Sequence, residues 1–405
     1  MTTAKRVRFI FYNSHQGKLF SFLQGWFPDE IAVSLTKVKS CLDLPIGRVT
    51  KVWLSPRRYP LPETAGAIIG FTLRKTVADF QWLQPFRGLV RSWLLSRARL
   101  FYHLFAADFA TSRPDLVVLW SGLALPLAAA AAAARNAGIP LLFCENGYLP
   151  RTIVMDPAGT NARNSLSGLK RDFYDRVAIH PERLAVLFNN QLVQRPLKKG
   201  PDKLQKSLEE KEQQLQLPEA FVFLPLQVFD DSQVLLYSPR FNDMPSLIDY
   251  CAAQLEDYNL THGTDLELVV KEHPSDFGRI RYDRVKAAHP GVTFVQTVGT
   301  PELLAKCQAV ITINSTVGIE GLFNFKPVIT MGEAFYNVTG LVWHVGPETE
   351  LVKVLAAALN SPVDRDLIEK FLYYLRYEYL VGIDRRNLAE ADPRPVVERI
   401  LSQLH

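Results

Sequence analysis

The chain has 405 residues, of which 48% are hydrophobic and 21% charged, as in an average soluble globular protein of two or three domains. Its formal net charge of +5 fits an anionic substrate or an anionic membrane surface better than nucleic acid, for which no recognised motif is present. The four cysteines are far apart and form no CxxC pair, so we expect free thiols in a reducing, cytoplasmic compartment.

The N-terminal segment predicts the opening of a Rossmann-like unit. Residues 7–12 (VRFIFY) read as a strand, a polar loop with Gly17 follows, and residues 19–26 have helical apolar spacing. The loop lacks GxGxxG, so a dinucleotide site is not supported, and the first apolar run is too interrupted to be a signal peptide. Ser14 is a candidate cleft residue in this loop, although an ordinary loop role is favoured. Further strands are predicted at residues 30–38 and 48–54.

A basic aromatic segment follows at residues 76–109. Its Trp, Phe and Leu residues recur mostly at three- and four-residue steps, which predicts a helix, and Arg87, Arg91, Arg97 and Arg99 lie among them. A basic helix with Trp and Leu residues can lie on a membrane surface. We favour a core helix with an exposed basic face and leave the membrane contact open.

A strand–helix–strand unit is predicted at residues 115–143, with an Ala-rich helix between its two strands. Its apolar content does not reach the ~18 uninterrupted residues that a membrane span needs. The second strand leads into Glu145, beside Gly147, and ligands of open α/β sheets lie beyond the carboxyl ends of the strands. Glu145 is therefore a candidate general acid or base whose pKa partial burial would raise, and a structural hydrogen-bonding role is the alternative.

The stretch FVFLPLQVFDDSQV, residues 221–234, follows a charged segment that we take as the domain boundary. Its apolar start predicts a buried parallel strand, and Gln227, Asp230 and Asp231 come directly after it. A pair of carboxyl groups at a strand end is the first place to expect chemistry. The alternative is that the two aspartates only cap the next helix.

The next predicted strand, at residues 265–270, ends in Lys271, His273 and Pro274. Lys and His side chains at a strand end can donate hydrogen bonds to an anion, and proline fixes the turn that presents them. The sequence therefore predicts an anion site at this second strand end.

A third predicted strand, AVITI at residues 309–313, ends in Asn314, Ser315 and Thr316, with Gly318 inside the helix that begins there. Hydroxyl groups, free backbone N–H groups and the helix dipole together form a phosphate site. Glu320 is placed in the first turn of this helix. A capped helix without a ligand is the alternative, but the unit resembles nucleotide-sugar sites of glycosyltransferases with two Rossmann-like domains.

Four ordered segments, ENGYLP, PLQVFDDSQ, VKEHP and NSTVGIEGLFNFKPVITMG, together resemble the bacterial capsule-polysaccharide biosynthesis family, which includes the β-Kdo transferases. The resemblance covers about residues 116–332, and the first hundred residues and the tail match much less. It implies an α/β fold with two Rossmann-like domains facing a cleft (GT-B-like). The expected parts are an acceptor-side domain at 1–197, a charged linker helix at 198–217 and a CMP-sugar domain at 218–380. A helical tail at 381–405 could pack back on the first domain, and we assign it no chemistry.

The resemblance also implies transfer of Kdo from CMP-Kdo, in β linkage, to a glycan or glycolipid in capsule or lipopolysaccharide synthesis. Retention of configuration suits a carboxylate nucleophile. The family's glutamine-then-aspartate pattern places that nucleophile at Asp231, four residues after Gln227, with Asp230 as its neighbour. Glu145 would handle the acceptor hydroxyl proton.

The remaining matched positions are assigned to the nucleotide. His273 with Lys271, and Ser315 with Thr316, would bind the CMP phosphate, and Glu320 would reach the ribose or base. No metal site and no cofactor are expected, because a cytidine monophosphate leaving group carries less charge than a diphosphate. Pro274, Asn314 and Gly318 complete the predicted set.

Two other functions stay open at this stage. One is a two-domain transferase that uses a different nucleotide sugar. The other is a capsule-assembly protein that binds polysaccharide or lipid without catalysis. A single catalytic unit favours the addition of one Kdo or related sugar, and a peripheral contact with the inner face of the inner membrane is also left open.

Overall fold

The computed structural model describes residues 4–38, 50, 52, 55, 58–191 and 216–404. These residues form two compact units, and each holds a six-stranded sheet that is wholly or mainly parallel. The first unit comprises residues 1–165 and 379–405, and the second comprises residues 166–378. The predicted α/β class with two Rossmann-like parts is therefore confirmed. Of the predicted linker, only residues 216 and 217 are among the described residues.

The sheet of the first unit has the order β12–β5–β4–β3–β1–β2. Its strands are β1 (Lys5–Phe11), β2 (Ile31–Lys37), β3 (Leu116–Trp120), β4 (Leu141–Asn146), β5 (Thr152–Asp156) and β12 (Val381–Gly382). The first four strands pair in parallel, whereas β5 and β12 pair antiparallel. Every residue of β3 is buried, as expected for an inner parallel strand. Most of the strand predicted at 48–54 lies outside the described residues, and Thr50 and Val52 there are helical.

The helices of the first unit are α1 (Ser14–Gln24), α2 (Ala65–Asp79), α3 (Arg87–Ser112), α4 (Leu127–Asn136) and, in the tail, α14 (Arg394–Leu401). The single helix predicted at 76–109 is wrong, because a 3₁₀ turn at Gln81–Phe86 separates α2 from α3. Pro85 lies inside this turn, where its missing N–H and its ring prevent one continuous α-helix.

The sheet of the second unit is entirely parallel and has the order β11–β10–β9–β6–β7–β8. Its strands are β6 (Phe221–Pro225), β7 (Glu267–Lys271), β8 (Val292–Val295), β9 (Ala309–Thr312), β10 (Val328–Thr330) and β11 (Trp343–His344). The chain therefore starts at β6, runs outwards through β7 and β8, and returns to the other side of β6 at β9. This is the strand order of a doubly wound fold, whose ligands bind where the order reverses, outside the carboxyl ends of β6 and β9.

Helices cover this second sheet. They are α5 (Arg171–Asp175), α6 (Pro181–Gln191), α7 (Ser232–Tyr237), α8 (Met244–His262), α9 (Asp283–Ala288), α10 (Thr300–Lys306), α11 (Thr316–Phe323), α12 (Leu351–Asn360) and α13 (Arg365–Tyr374). Aromatic contacts join α5 to α13, because Phe173 meets Tyr374 at 4.9 Å and Tyr174 meets Phe371 at 5.4 Å between ring centroids. These contacts place residues 166–191 in the second unit, whereas the prediction put the boundary at residue 197.

The tail from residue 379 belongs to the first unit. The Tyr379 hydroxyl donates to Oδ2 of Asp156 at 2.9 Å, and the same buried carboxyl group accepts from the backbone N–H of Ala158 and from Ser165. Strand β12 adds to the sheet beside β5. The hydrogen bond from Tyr379 to the buried Asp156 carboxyl group thus holds the start of the tail against the first unit.

Candidate functional site

A pair of buried amide side chains links β6 to β9 where the strand order reverses. Gln227 follows β6 and donates from Nε2 to Oδ1 of Asn314, which follows β9, at 2.9 Å. The Oε1 atom of Gln227 accepts from the backbone N–H of Asn314 at 3.1 Å. These amide groups hold the two strand ends in register. The prediction that both residues bind the substrate or the nucleotide stays a prediction.

The Asn314 side chain also holds the loop that carries the two aspartates. Its Nδ2 group donates to the backbone carbonyls of Gln233 at 3.0 Å, Tyr237 at 3.3 Å and Glu333 at 3.2 Å. Because Gln233 and Tyr237 belong to α7, this amide group ties α7 to the end of β9. Buried carbonyl groups without such a donor would destabilise the folded state.

The two adjacent aspartates differ in burial and in their side-chain partners. Asp230 is buried, and Oδ2 of its carboxyl group pairs with Nη2 of Arg279 at 3.1 Å. Asp231 is exposed and accepts from the Ser232 hydroxyl at 3.0 Å. Asp231 occupies the N-cap position of α7, yet its side chain accepts no helix N–H, so a capping role for this carboxyl group is not supported. Of the two, Asp231 is the one that solvent and ligands can reach.

Two residues of the neighbouring loop, Asp276 and Arg279, complete this cluster and were missed in the sequence. Nη1 of Arg279 pairs with Oδ1 of Asp276 at 2.9 Å, and the guanidinium carbon lies 4.6 Å from the centroid of the Phe229 ring. Oδ2 of Asp276 accepts from the backbone N–H of Phe229 at 3.2 Å. Burial raises the pKa of Asp276 and the nearby Asp230 raises it further, while Arg279 opposes both effects. No local pattern marks these residues as part of the cluster, because their partners Phe229 and Asp230 lie more than forty residues earlier in the chain.

The two side chains of the predicted anion site after β7 also differ in burial. Lys271 is buried, and its ammonium group donates to the backbone carbonyls of Gln296 and Val298. This ammonium group thus braces the segment after β8. His273 is half-buried, and its Nδ1 accepts from the backbone N–H of Ser275 at 3.1 Å. An acceptor at Nδ1 leaves Nε2 as the donor of the neutral ring.

Pro274 starts the short 3₁₀ turn after His273 that ends at Asp276. This is the predicted turn-fixing role, and it also carries Asp276 towards Phe229. The proline therefore acts on the site through the position of the residues that follow it.

The predicted phosphate loop after β9 forms the N-terminus of α11. The Ser315 hydroxyl caps this helix by accepting from the backbone N–H of Val317 at 3.2 Å, and Thr316 is the first helical residue. A Cβ atom at Gly318 would lie 2.6 Å from the Tyr336 hydroxyl, which donates to the Ser315 carbonyl at 2.6 Å. Only glycine fits at this position without displacing the tyrosine that supports the loop.

Two further predicted site residues lie on helices. Glu320 is half-buried and is the fifth residue of α11, so it lies beyond the first turn in which it was predicted. Ser14 is the exposed first residue of α1, where Asn13 and Gln16 form a capping box around it. The expected polar loop is thus the beginning of a helix.

Glu145 lies in the first unit, inside strand β4 and not after its end. The prediction missed β5, with which the last residues of β4 pair antiparallel, so that Glu145 stands opposite Val154. Oε1 of Glu145 accepts from the backbone N–H of Asn146 at 2.8 Å and from its Nδ2 at 3.2 Å. The carboxyl group is half-buried near the rim of this sheet.

A cation from the tail, Arg385, completes the surroundings of Glu145. Its Nη1 donates to Oδ1 of Asn146 at 2.5 Å, and its guanidinium carbon lies 4.3 Å from the centroid of the Trp120 ring. Burial lowers the pKa of Arg385, whereas the charge of Glu145 opposes this shift. The tail therefore supplies a positive charge beside the candidate Glu145, and the assignment of no chemistry to the tail stays a prediction.

We expect Gly147→Ala to destabilise the first unit by about 3 kcal/mol, because the added Cβ would overlap the chain at Thr152. That Cβ would lie 1.9 Å from Oγ1 and 2.5 Å from the backbone carbonyl carbon of Thr152. The midpoint of thermal unfolding measures the effect. Gly70→Ala, on α2 with open space at its Cβ position, is the matched control and should be neutral or slightly stabilising. Equal midpoints for the two variants would contradict this account of the turn.

The described residues contain buried cysteines but no cluster of metal ligands and no helix that could cross a membrane. Within 4–38, 58–191 and 216–404, no group of three or more His, Cys, Asp and Glu side chains is placed to hold a metal ion. Cys144, Cys251 and Cys307 are buried free thiols, as predicted, and Cys41 lies outside the described residues. No helix in the described part of the chain is both long and apolar enough to cross a membrane.

Residues 198–378 match the family described as Capsule polysaccharide biosynthesis protein. Protein FixF of Sinorhizobium fredii is 32% identical over 66% of this chain and 60% of its own length. The capsule polysaccharide modification protein LipB of Neisseria meningitidis is 34% identical over 40% of this chain and 38% of its own length. The chain thus matches less than two thirds of either relative. The predicted resemblance to the capsule family is confirmed.

Among solved structures, the β-Kdo 2,7 transferase of Thermosulfurimonas dismutans KpsC aligns with a TM-score of 0.47 and 12% identity. The alignment covers 98% of this chain and 99% of that one.

Proposed function

We propose that this chain, a protein of the capsule polysaccharide biosynthesis family, is a glycosyltransferase that takes Kdo or a related ulosonic acid from a CMP-sugar. The acceptor is a glycan or glycolipid of capsule or lipopolysaccharide synthesis, and the new linkage is β. The observation that carries the proposal is the Gln227–Asn314 pair where the strand order reverses. This pair brings together, at one sheet edge, an exposed carboxyl group and a capped helix N-terminus.

Asp231 is the proposed nucleophile. One of its carboxylate oxygens bonds to the anomeric carbon of the donor while the bond from that carbon to the phosphate oxygen breaks, and CMP leaves with the electron pair. The acceptor hydroxyl oxygen then bonds to the same carbon, the ester bond to Asp231 breaks, and the carboxylate is regenerated. Two inversions give net retention. The exposure of Asp231, against the burial of Asp230, supports this choice.

Asp230, Arg279 and Asp276 serve this step as positioning residues. Their ion pairs hold the backbone around Phe229 and therefore the direction in which Asp231 leaves the sheet edge. Arg279 also neutralises negative charge close to the nucleophile, which favours the approach of an anionic donor.

The CMP phosphate is assigned to His273 and the N-terminus of α11. Nε2–H of the neutral His273 ring is a hydrogen-bond donor, and the first N–H groups of α11 carry the positive end of the helix dipole. Because the Lys271 ammonium group is held by two backbone carbonyls, we give it a structural role, and Glu320 keeps its proposed contact with the ribose or base.

Glu145 is the proposed acceptor of the hydroxyl proton in the second step. Arg385 places a positive charge beside this carboxyl group, and the charge of Glu145 opposes the lowering of the Arg385 pKa by burial. This role follows the family resemblance, and the half-buried carboxyl group beside a cation supports it.

The proposal is tested by measuring CMP release and product mass with CMP-Kdo generated in situ. Parallel reactions contain CMP-N-acetylneuraminate or UDP-N-acetylglucosamine, each with and without a Kdo-bearing glycolipid acceptor. Transfer of one Kdo to the acceptor supports the proposal. Transfer from UDP-N-acetylglucosamine alone would establish a different donor class, and no nucleotide release from any donor would favour a binding protein.

A further inference from the structure

The first unit carries an uncovered apolar surface at the end of the helical hairpin formed by α2 and α3. We call residues 80–93 the hairpin tip. No residue from 74 to 93 is buried. Five large apolar side chains of the tip are more than half exposed: Phe80 (51%), Trp82 (68%), Phe86 (52%), Leu89 (70%) and Trp93 (54%). A contiguous exposed surface of this kind marks an interaction site in a soluble protein.

The rest of the hairpin is firmly packed, so the exposure is confined to the tip. Helix α2 buries side chains up to Leu73, and α3 buries them from Leu94 to Phe109. The favoured prediction of a core helix therefore holds for the second part of α3 but not for the tip. The 3₁₀ turn around Pro85 turns the chain beyond the edge of the core.

The tip also forms a surface cavity of about 420 Å³. It is lined by Thr76, Phe80, Trp82, Leu83, Leu89, Val90 and Trp93. All of these except Thr76 are apolar. An apolar occupant that displaced water from this cavity would therefore bind favourably, because apolar surface would be removed from water.

The charged side chains from residue 80 to residue 107 have a single sign. Residues 80–107 contain four arginines and no aspartate or glutamate. Arg87 and Arg91 are exposed on the tip, and the guanidinium carbon of Arg97 lies 4.7 Å from the centroid of the Trp93 ring. The acidic residue that precedes the tip, Asp79, already pairs with Lys75 at 3.5 Å. The occupant of this surface should therefore be apolar in one layer and anionic in the next.

We propose that the hairpin tip docks this protein on the surface of an anionic lipid bilayer. Trp82, Leu89 and Trp93 enter the boundary between headgroups and acyl chains, while Arg87 and Arg91 stay level with the phosphates. The charge pattern favours this occupant, because lipid phosphates supply a continuous negative layer directly above an apolar one. The inference does not depend on the proposed transferase chemistry.

Flotation of the purified full chain with phosphatidylcholine vesicles, with and without phosphatidylglycerol, tests the proposal. The wild type should float with the anionic vesicles, and added salt should weaken this binding. The triple variant Trp82→Ser, Leu89→Ser and Trp93→Ser should lose about 1,000-fold in partitioning, since each buried large side chain is worth roughly tenfold. Replacing Arg87 and Arg91 with Gln should cost about 25-fold on anionic vesicles, roughly fivefold for each charge.

Matched controls use equally exposed residues elsewhere. Trp26→Ser with Leu260→Ser removes side chains that are 54% and 80% exposed, and Arg281→Gln with Arg284→Gln removes two exposed charges from the second unit. Both controls should float like the wild type. Should the serine variant fail to fold, the arginine variant, which leaves the apolar residues unchanged, still decides the question.

Three outcomes would overturn the proposal. The wild type could fail to float, or the controls could lose as much binding as the tip variants. A dimer in light scattering that forms without lipid and disappears in the serine variant would assign the tip to a second copy of this chain. Measurements of transferase activity in detergent, without vesicles, keep this test separate from that of the proposed function.

Discussion

Replacing Asp231 with Asn is expected to lower sugar transfer by at least about 1,000-fold, because the amide oxygen is too weak a nucleophile to form the glycosyl–enzyme ester. The substitution keeps the shape of an exposed side chain, so the fold and donor binding should be preserved. Intact-protein mass after incubation with CMP-Kdo provides a second readout. The wild type should gain the mass of one Kdo, and the Asn variant should not.

The control for this experiment is Asp265→Asn, which removes another exposed carboxyl group from the second unit and should transfer normally. Transfer by the Asp231 variant at the wild-type rate would exclude this nucleophile. Transfer by the wild type without any adduct, together with an inactive Asn variant, would indicate direct displacement with Asp231 in an electrostatic role. A Kdo adduct on the Asn variant would place the nucleophile on another residue.

Asn314→Ala is expected to destabilise the second unit by about 3 kcal/mol or more, since it leaves several buried polar groups without a partner. The carbonyls of Gln233, Tyr237 and Glu333 would lose their shared donor, and Gln227 would lose its partner across the switch point. Hydrogen–deuterium exchange of peptides covering β6 and β9 measures the loss as faster opening of this sheet.

Asn324→Ala is the matched control, because that side chain makes a single bond to the Glu320 carbonyl at the end of α11. Its effect should stay below about 1 kcal/mol. Similar exchange in both variants would mean that the amide pair does not hold the two strand ends together. A large effect confined to Asn314→Ala would establish the structural role on which the proposed site rests.

Much of the candidate site could be predicted from local sequence. Short apolar runs predicted the strands that end near Gln227, Lys271 and Asn314, because burial on both faces of a parallel sheet demands such runs. The carboxyl ends of neighbouring parallel strands meet at one edge, so the polar residues that follow them were expected together. Side-chain partners were not predictable in this way, since they come from distant loops.

Arg279 and Arg385 show the limit most clearly. Neither lies in a recognisable pattern, and only the fold brings Arg279 to Asp230 and Arg385 to Asn146. The partner of Lys271 was not predictable either. The same local sequence is compatible with an ammonium group that binds a phosphate and with one that donates to backbone carbonyls, as it does here. Which one it meets depends on where the segment after β8 ends.

The order of apolar and polar residues by itself determined most of the parallel strands, the helix that begins at Thr316 and the family resemblance, because these depend on neighbours in the chain. Strands β5, β11 and β12 were not predicted in this way. The tertiary structure decided which of Asp230 and Asp231 is exposed, because burial depends on groups far away in sequence. It also decided that the large apolar side chains at 80–93 are exposed, whereas α3 buries apolar side chains from Leu94 onwards. Helical spacing alone does not separate these two cases, because it records which residues share a face and not what covers that face.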